Sequence, residues 1–464
     1  MSKKETVIIG SGPGGYVSAI RAAQLGQKVT IIEKTYIGGT CLNVGCIPSK
    51  AIITAAHAFH NAKNSEIFGV QTGSAQIDLE KTQDWKENQV VKRLTGGVES
   101  LLKKNKVEII RGTASFKDNK HLMVTKEDGS TEELEFQQAV ISTGTAPIEL
   151  AEVPFGEKVI DTTGGLGLRK APESLVIVGG GYVGSQLAGA FSNLGVKVTI
   201  LEKESHILHF FDEDMSKMVE KNYAKKGIEV ITSVNIKSTK ETADDVAITY
   251  EKDGKEETIT SSAVLVSAGR KPYTKGLNLE EIGVEMLENG RIKVSDSLQT
   301  SVEGIYAIGD VAPGPAFAHK ASYEGKIVAE VIAGQNPALE EEILPIAVYT
   351  EPELATVGIS AAAAKKSDRN LKISKFPLAG NGRALSLNQT EGFVRLITDQ
   401  DNDNALVGAQ IAGVGAPDII SEVGFAIKNG MNAEDISLTV HAHPTVAESI
   451  MDASELALGM PIHM

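Results

Sequence analysis

The chain has 464 residues, more than a single core serves, since hydrophobic cores stop growing near ~250–300 residues, so two to four domains are expected. Hydrophobic residues at 42% and charged residues at 23% describe a globular chain with material for sizeable cores, which excludes a largely disordered one. The 46 basic and 60 acidic residues leave a net charge of −14, which argues against unaided nucleic-acid binding and against attraction to anionic membranes, so neither is expected as a partner.

Met1 to Glu5 brings two lysines ahead of a short apolar run, Val7–Ile9, which a glycine loop ends at once. That is no signal peptide, and the expected location is the cytoplasm. Thr6–Ile9 reads as a strand, followed by Gly10-x-Gly12-x-x-Gly15, a helical stretch to Leu25, Gly26 as a stop, and a second strand, Lys28–Ile32, ending in Glu33. The first glycine turns the chain, the second lets backbone N–H groups reach a pyrophosphate, and the third permits close helix packing. Glu33, eighteen residues past Gly15, stands where a carboxylate accepts from ribose hydroxyls.

Next come the two cysteines of the chain, Cys41 and Cys46. A reducing cytosol does not keep a structural disulfide, and two thiolates at this spacing make a poor zinc site, so a redox role is expected and no metal. In a regular helix five residues rise ~7.5 Å, whereas a disulfide needs Cα atoms within about 7 Å. The helix must therefore be distorted here, and Gly45 permits it. Lys50, four residues past Cys46, can place an ammonium beside a thiolate or a bound cofactor.

Further along, Trp85–Lys106 reads as a long amphipathic helix, followed by short strands with a hairpin signal at Asp128-Gly129. A second strand–loop–helix unit then appears: Leu175–Val178, Gly179-x-Gly181-x-x-Gly184, a helix to Leu194, Gly195 as a stop, and a strand Lys197–Leu201 ending in Glu202. Six glycines interrupt Leu175–Val198, which suits strand, loop and helix and not a membrane span. Two such units imply two dinucleotide-binding domains. Glu202 also selects: a carboxylate accepts from a free 2′-hydroxyl and repels a 2′-phosphate, which favours NAD over NADP, with the adjacent Lys203 as the contrary signal.

A strand-rich return, Ala263–Ser267 and Gly304–Ile308, closes with Ala268-Gly269-Arg270 and Gly309-Asp310. From Leu344 the pattern changes to strands such as Phe393–Thr398 and Leu406–Ile411, then helices around Asp418–Lys428 and Ala447–Leu458, so a separate carboxy-terminal domain is expected. There His443 and Glu448 face each other across a helix start, with Pro444 suited to the first turn. A histidine so held can act as a general base, its acid orienting it and stabilising its charged form. His441 is the competing candidate.

The run Gly38-Gly-Thr-Cys41-Leu-Asn-Val-Gly-Cys46-Ile-Pro-Ser-Lys50 resembles the redox-active disulfide motif of the dihydrolipoamide dehydrogenase family, within the class I pyridine nucleotide-disulfide oxidoreductases. Ser142–Thr145, Thr300 through Asp310, Gly314 through Ala321, Tyr349–Glu353 and His441–Thr445 carry the resemblance over nearly the whole chain. It implies a homodimeric flavoprotein that holds FAD through Gly10, Gly12, Gly15, Glu33, Thr40, Lys50, Ala114, Asp310 and Ala318, and NAD through Gly179, Gly181, Gly184 and Glu202. Thr143, Gly144 and Gly269 would also lie at the cofactors. By the same resemblance Cys41 is the thiol that meets the substrate, Cys46 the sulfur nearest the flavin, and His443 the base, paired with Glu448.

The implied reaction oxidises dihydrolipoyl groups with reduction of NAD, on lipoyl-bearing proteins of a 2-oxoacid dehydrogenase or glycine-cleavage complex, with a part in cell redox homeostasis. The alternatives are an NADH-dependent reductase of another small disulfide and a flavoprotein assembly subunit with inert cysteines. Glutathione-type reductases carry lysine where this chain has Ser49, and mercuric reductases need a further cysteine pair that is absent here. One departure stands out: many family members have Glu where this chain has Gln186, as the partner of the lysine near the flavin. The expected fold is α/β, two Rossmann-like dinucleotide-binding domains plus an α+β carboxy-terminal dimerisation domain. The boundaries expected are 1–147 for FAD, 148–270 for NAD, 271–343 for a central domain that completes the FAD site, and 344–464 for the interface domain.

Overall fold

The computed structural model describes residues 2–337, 339 and 343–464. In the first unit four parallel strands stand in the order Glu108–Arg111, Val29–Glu33, Ser2–Ile9, Thr131–Ile141. Thr131–Ile141 is long enough to serve twice. Its first half closes an antiparallel meander with His121–Thr125 and Thr113–Phe116 through the Asp128-Gly129 turn, and its second half pairs parallel with Ile305–Ala307. Alternation along the central strand sends Val7 and Ile9 into one core and Ile8 into the core on the opposite face. Residues of 271–343 enter both cores, Leu277, Ile292 and Ile305 on one face and Leu298, Ile308 and Val328 on the other. That segment is built into the first sheet, because its strand Ile305–Ala307 pairs there and its helix Ala318–Ile332 lies on helix Pro13–Gln24.

The second unit repeats the plan with five parallel strands, in the order Glu229–Ile231, Lys197–Leu201, Ser174–Val178, Ala263–Val266, Val159–Asp161. A two-stranded ribbon, Thr145–Pro147 against Arg270–Pro272, connects the two units. The carboxy-terminal unit is an antiparallel five-stranded sheet that runs Ile346–Val348, Leu354–Gly358, Ala405–Ala412, Phe393–Asp399, Leu371–Pro377 and is covered by helices Ala416–Lys428 and Glu448–Leu458.

The expected elements appear with three changes. The first strand begins at Ser2 and not at Thr6. The long helix begins earlier, at Leu79, where Asp78 caps it by accepting from the Lys81 N–H at 3.1 Å, and it passes through a π-helical stretch, Lys86–Val91, before ending at Lys104. Pro444 lies ahead of the last helix and not in its first turn, because the chain between His443 and Glu448 loops to bring their side chains together. Among the described residues no helix is long and apolar enough to cross a membrane.

Candidate active site

Two glycine loops open helices with no side-chain cap, at Gly12 and at Gly181, so the first N–H groups of each helix are left for an anion. In each loop the third glycine is forced by a close approach. A Cβ on Gly15 would stand 1.9 Å from the Gly10 carbonyl oxygen, and one on Gly184 would stand 2.0 Å from that of Gly179. At Gly12 and Gly181 an added Cβ meets nothing within 4 Å, which is the open side a diphosphate needs. These cradles fit two dinucleotides.

The carboxylates at the second strands also tie down the loops. Glu33 Oε2 accepts from the Ser11 N–H at 2.7 Å and its hydroxyl at 2.6 Å, while Oε1 accepts from the N–H groups of Thr35 and Tyr36. Glu202 has two such donors, the N–H groups of Gly180 at 2.5 Å and Glu204 at 2.8 Å. Ala114 lies on the end strand of the first sheet, two residues past Gly112, whose N–H bonds the Glu33 carbonyl. Thr143 and Gly144 follow Thr131–Ile141, and the Thr143 hydroxyl donates to the Tyr273 carbonyl. Gly269 precedes the connecting ribbon with φ of 107°. Ala318 opens a third helix without a side-chain cap, and Asp310 accepts from the Thr145 hydroxyl at 3.0 Å.

The cysteine segment packs onto the first loop, with the Gly38 N–H bonded to the Ser11 carbonyl at 2.9 Å. Helix Gly39–Val44, which carries Thr40 and Cys41, stops at Gly45, and a new helix, Cys46–Lys63, starts at Cys46. This is the distortion the spacing demanded, and it brings the two side chains to about 2.9 Å. Cys41 is half-buried and Cys46 exposed. The hydrogen bond between them splits their acidities. It pulls the Cys46 thiol down to about 7, against burial and with help from Lys50, and it pushes Cys41 up, with burial adding to it. Lys50, one turn into the new helix, donates to Gln186 Oε1 at 2.7 Å and lies 4.7 Å from the centre of the Tyr349 ring. Gln186 in turn donates to the Tyr182 carbonyl at 2.6 Å. Burial pushes the Lys50 ammonium down, and the two cysteines oppose it. Lys50 thus bonds a neutral amide, and the nearby negative charge that supports it is that of the Cys46 thiolate.

Within one chain, His443 does not face this cluster: Cys41 and Cys46 feel Lys50 and Asp310, whereas His443 sits in the carboxy-terminal unit with its side chain 80% exposed. Its Nδ1 lies 2.9 Å from Glu448 Oε1, and the other carboxylate oxygen accepts from the Thr445 N–H at 2.7 Å. Burial opposes the Glu448 charge, yet these two partners hold its carboxyl below the usual range. His441 is spent at both nitrogens, Nδ1 on the Thr439 carbonyl and Nε2 on Glu422, which leaves His443 as the imidazole with a nitrogen to offer. The Tyr349 ring over Lys50 was not assigned from the sequence. Its signal lay in the Tyr349–Glu353 run, but nothing in the spacing places residue 349 beside residue 50.

Residues 4–325 match the pyridine nucleotide-disulphide oxidoreductase family, and residues 344–454 match the dimerisation domain of the same family. Curated relatives named dihydrolipoyl dehydrogenase include one from Staphylococcus aureus, 53% identical over 459 residues, and one from Geobacillus stearothermophilus, 51% identical over 460, each pairing covering 99% of this chain and 97% of the relative. Among solved structures, LpdA of Mycobacterium tuberculosis superposes with a TM-score of 0.91 at 25% identity, covering 98% of this chain and 99% of LpdA. The HOCl-induced flavoprotein disulfide reductase RclA of Escherichia coli superposes with a TM-score of 0.86 at 27% identity, covering 97% of this chain and 99% of RclA. The first match spans both glycine-loop units and the second the carboxy-terminal unit, so the chain belongs to the pyridine nucleotide-disulphide oxidoreductase family.

Proposed function

We propose that the protein is a dihydrolipoyl dehydrogenase, an FAD-containing oxidoreductase that oxidises protein-bound dihydrolipoyl groups and reduces NAD. The observation that carries this is the Cys41–Cys46 pair at about 2.9 Å with Lys50 beside it, in a chain about half identical throughout to dihydrolipoyl dehydrogenases. A substrate thiolate attacks the Cys41 sulfur of the oxidised pair, the Cys41–Cys46 bond breaks, and Cys46 leaves as the thiolate that Lys50 supports. The second substrate thiol then displaces Cys41, closing the lipoyl disulfide and leaving two electrons on the cysteine pair. His443, aligned by Glu448, takes the proton of the first attacking thiol at Nε2. FAD, when bound, relays that electron pair to NAD as hydride.

Because His443 lies in the carboxy-terminal unit and faces outward, the base belongs with the cysteines of a second copy. Exposed Leu438 and Val440, next to it in sequence, supply the apolar surface such a homodimer would cover. The physiological donors would be lipoyl-bearing proteins of a 2-oxoacid dehydrogenase or glycine-cleavage complex, and the location the cytoplasm.

The first test is turnover of lipoamide with NADH. Activity on another small disulfide alone would favour the reductase reading, and no turnover at all would favour an assembly subunit. The second is complementation. Cys41→Ser and His443→Gln chains, each nearly inactive, are coexpressed. Random pairing makes half the dimers mixed, each with one intact site, so activity should return to roughly a quarter of wild type. No recovery where tag pull-down shows mixed dimers would refute the shared site. In the reduced enzyme the long-wavelength thiolate–flavin absorbance should fade as pH falls through about 7, the value for Cys46. Cys46→Ser should remove that band and Cys41→Ser keep it.

A further inference from the structure

The helix that carries Cys46 does not rest on the first unit alone. Ile52, Ile53 and Ala56 are buried in the core of the second unit, beside Leu187 and Phe191 of helix Tyr182–Asn193 and beside Val348, Leu354 and Phe393 of the carboxy-terminal unit. Three units meet at this core, and one polar group is set into their joint. The carboxylate of Glu351, on the loop between Ile346–Val348 and Leu354–Gly358, has a hydrogen-bonding partner on each of three helices or helix ends. His57 Nε2, on the Cys46 helix, lies 3.1 Å from Oε1. Asn193, the last residue of helix Tyr182–Asn193, donates to Oε1 at 2.7 Å. Lys226, just past helix Glu213–Lys225, donates to Oε2 and also bonds the Asn193 amide oxygen at 2.9 Å.

The surroundings favour the charged form. Burial opposes it, but His57, Lys226 and Asn193 outweigh the penalty and hold the Glu351 carboxyl well below the usual range. A carboxylate half enclosed with three donors is costly to remove, since its partners are left facing one another, one of them the Lys226 ammonium. Two residues before it, Tyr349 covers Lys50, and two residues after it, Glu353 accepts from the Gly415 N–H at the start of helix Ala416–Lys428 in the carboxy-terminal unit. The segment 349–353 is therefore anchored in its own unit and reaches both others.

We propose that Glu351 is a positioning residue for electron transfer, the strut that fixes the nicotinamide-binding unit against the cysteine helix through Asn193, Lys226 and His57. Its partner on that helix, His57, lies some three turns past Cys46, and Glu351 touches neither thiol, so it acts on the placement of the second unit and not on thiol exchange. The Cys41–Cys46 geometry is set by the break at Gly45 and the contact with the first loop, both inside the first unit. Hydride passage to NAD depends instead on how the second unit is docked, where a misplacement of about 1 Å can cost on the order of a hundredfold.

This inference rests on the dehydrogenase reading, and its test separates the two. The FAD-loaded enzyme is reduced with dihydrolipoamide in single turnover, then reoxidised with NAD, and each half-reaction is followed by flavin absorbance. Glu351→Ala should slow reoxidation roughly tenfold or more while reduction by the dithiol stays within about twofold of wild type and FAD content is unchanged. Asn193→Ala and Lys226→Met should show the same split more weakly, and Lys226→Met should add little to Glu351→Ala, since both remove one strut. Equal losses in both half-reactions, or no loss in either, would overturn the proposal. If Glu351→Ala does not retain FAD, the two milder variants decide by the same split. Wild-type enzyme inert toward dihydrolipoamide would overturn the dehydrogenase reading itself, and this inference with it.

Discussion

The two glycine loops answer one problem with nearly one backbone and then part company at the acid. In both, the third glycine presses on the carbonyl of the first, and in both the helix opens uncapped toward the ligand. Ser11 in the first loop corresponds to Gly180 in the second, and there the designs diverge. Ser11 adds a hydroxyl to the donors on Glu33, which has four, filling the roughly four lone-pair sites of a carboxylate. No side chain fits at Gly180, where a Cβ would stand 2.5 Å from Ile207 Cγ2, and Glu202 keeps two donors and two open positions. On the proposed reading, with FAD at the first loop and NAD at the second, Glu33 is engaged by its own loop where a ribose contact was expected, and Glu202 keeps positions for a ribose hydroxyl.

The sharpest way to break the comparison is at the third glycine. Gly15→Val should yield protein that purifies without FAD. Gly184→Val should keep FAD and dithiol reduction yet lower NAD turnover on the order of a hundredfold, read by flavin content and single turnover. Loss of FAD in both would mean that the loops do not serve separate cofactors. A smaller effect is expected at the acid of the second loop. Glu202→Gln should lower the specificity constant for NAD roughly tenfold, since hydrogen bonds to a charged group contribute about 1.5–3 kcal/mol, and should narrow the gap to NADPH. Unchanged discrimination in steady-state assays would show that Glu202 does not read the ribose. The smallest effect belongs to Ser11→Gly, which makes the first loop resemble the second. The Ser11 hydroxyl has a second acceptor in the Tyr36 carbonyl at 3.1 Å, so FAD affinity should change by less than about fivefold in titrations of the apoprotein.

Much of this was legible in the residues. The hydrophobic runs, glycine stops and acids at strand ends predicted the strand–loop–helix–strand units at both glycine loops to within a residue or two, apart from the start of the first strand, because strand, tight turn and helix start are local events whose reasons lie within a few positions of one another. The arithmetic on Cys41 and Cys46 likewise demanded a broken helix, and Gly45 breaks it. The long helix was found but entered six residues late, since Asp78 caps a first turn whose apolar face is too short to announce itself.

What the chain could not say locally is where distant segments meet. Both His441 and His443 read as bases. The family resemblance chose His443, and the fold adds a physical ground for that choice by bonding both nitrogens of His441 but only Nδ1 of His443. Gln186 stood out as a missing charge, but the Tyr349 ring over Lys50 depends on a strand nearly three hundred residues away in the chain. The resemblance implied that segment 271–343 is a central domain completing the FAD site; its strand Ile305–Ala307 pairs with the first sheet and its residues enter both of that sheet's cores, an arrangement settled by which edge is open when the chain returns. Sequence by itself determined the two cradles, the thiol pair and the acid at the end of each second strand, since each is written within some twenty residues. Tertiary structure alone decided which imidazole is available, what surrounds Lys50 and how three units close on the Cys46 helix, because those contacts join groups that only packing brings within hydrogen-bonding reach.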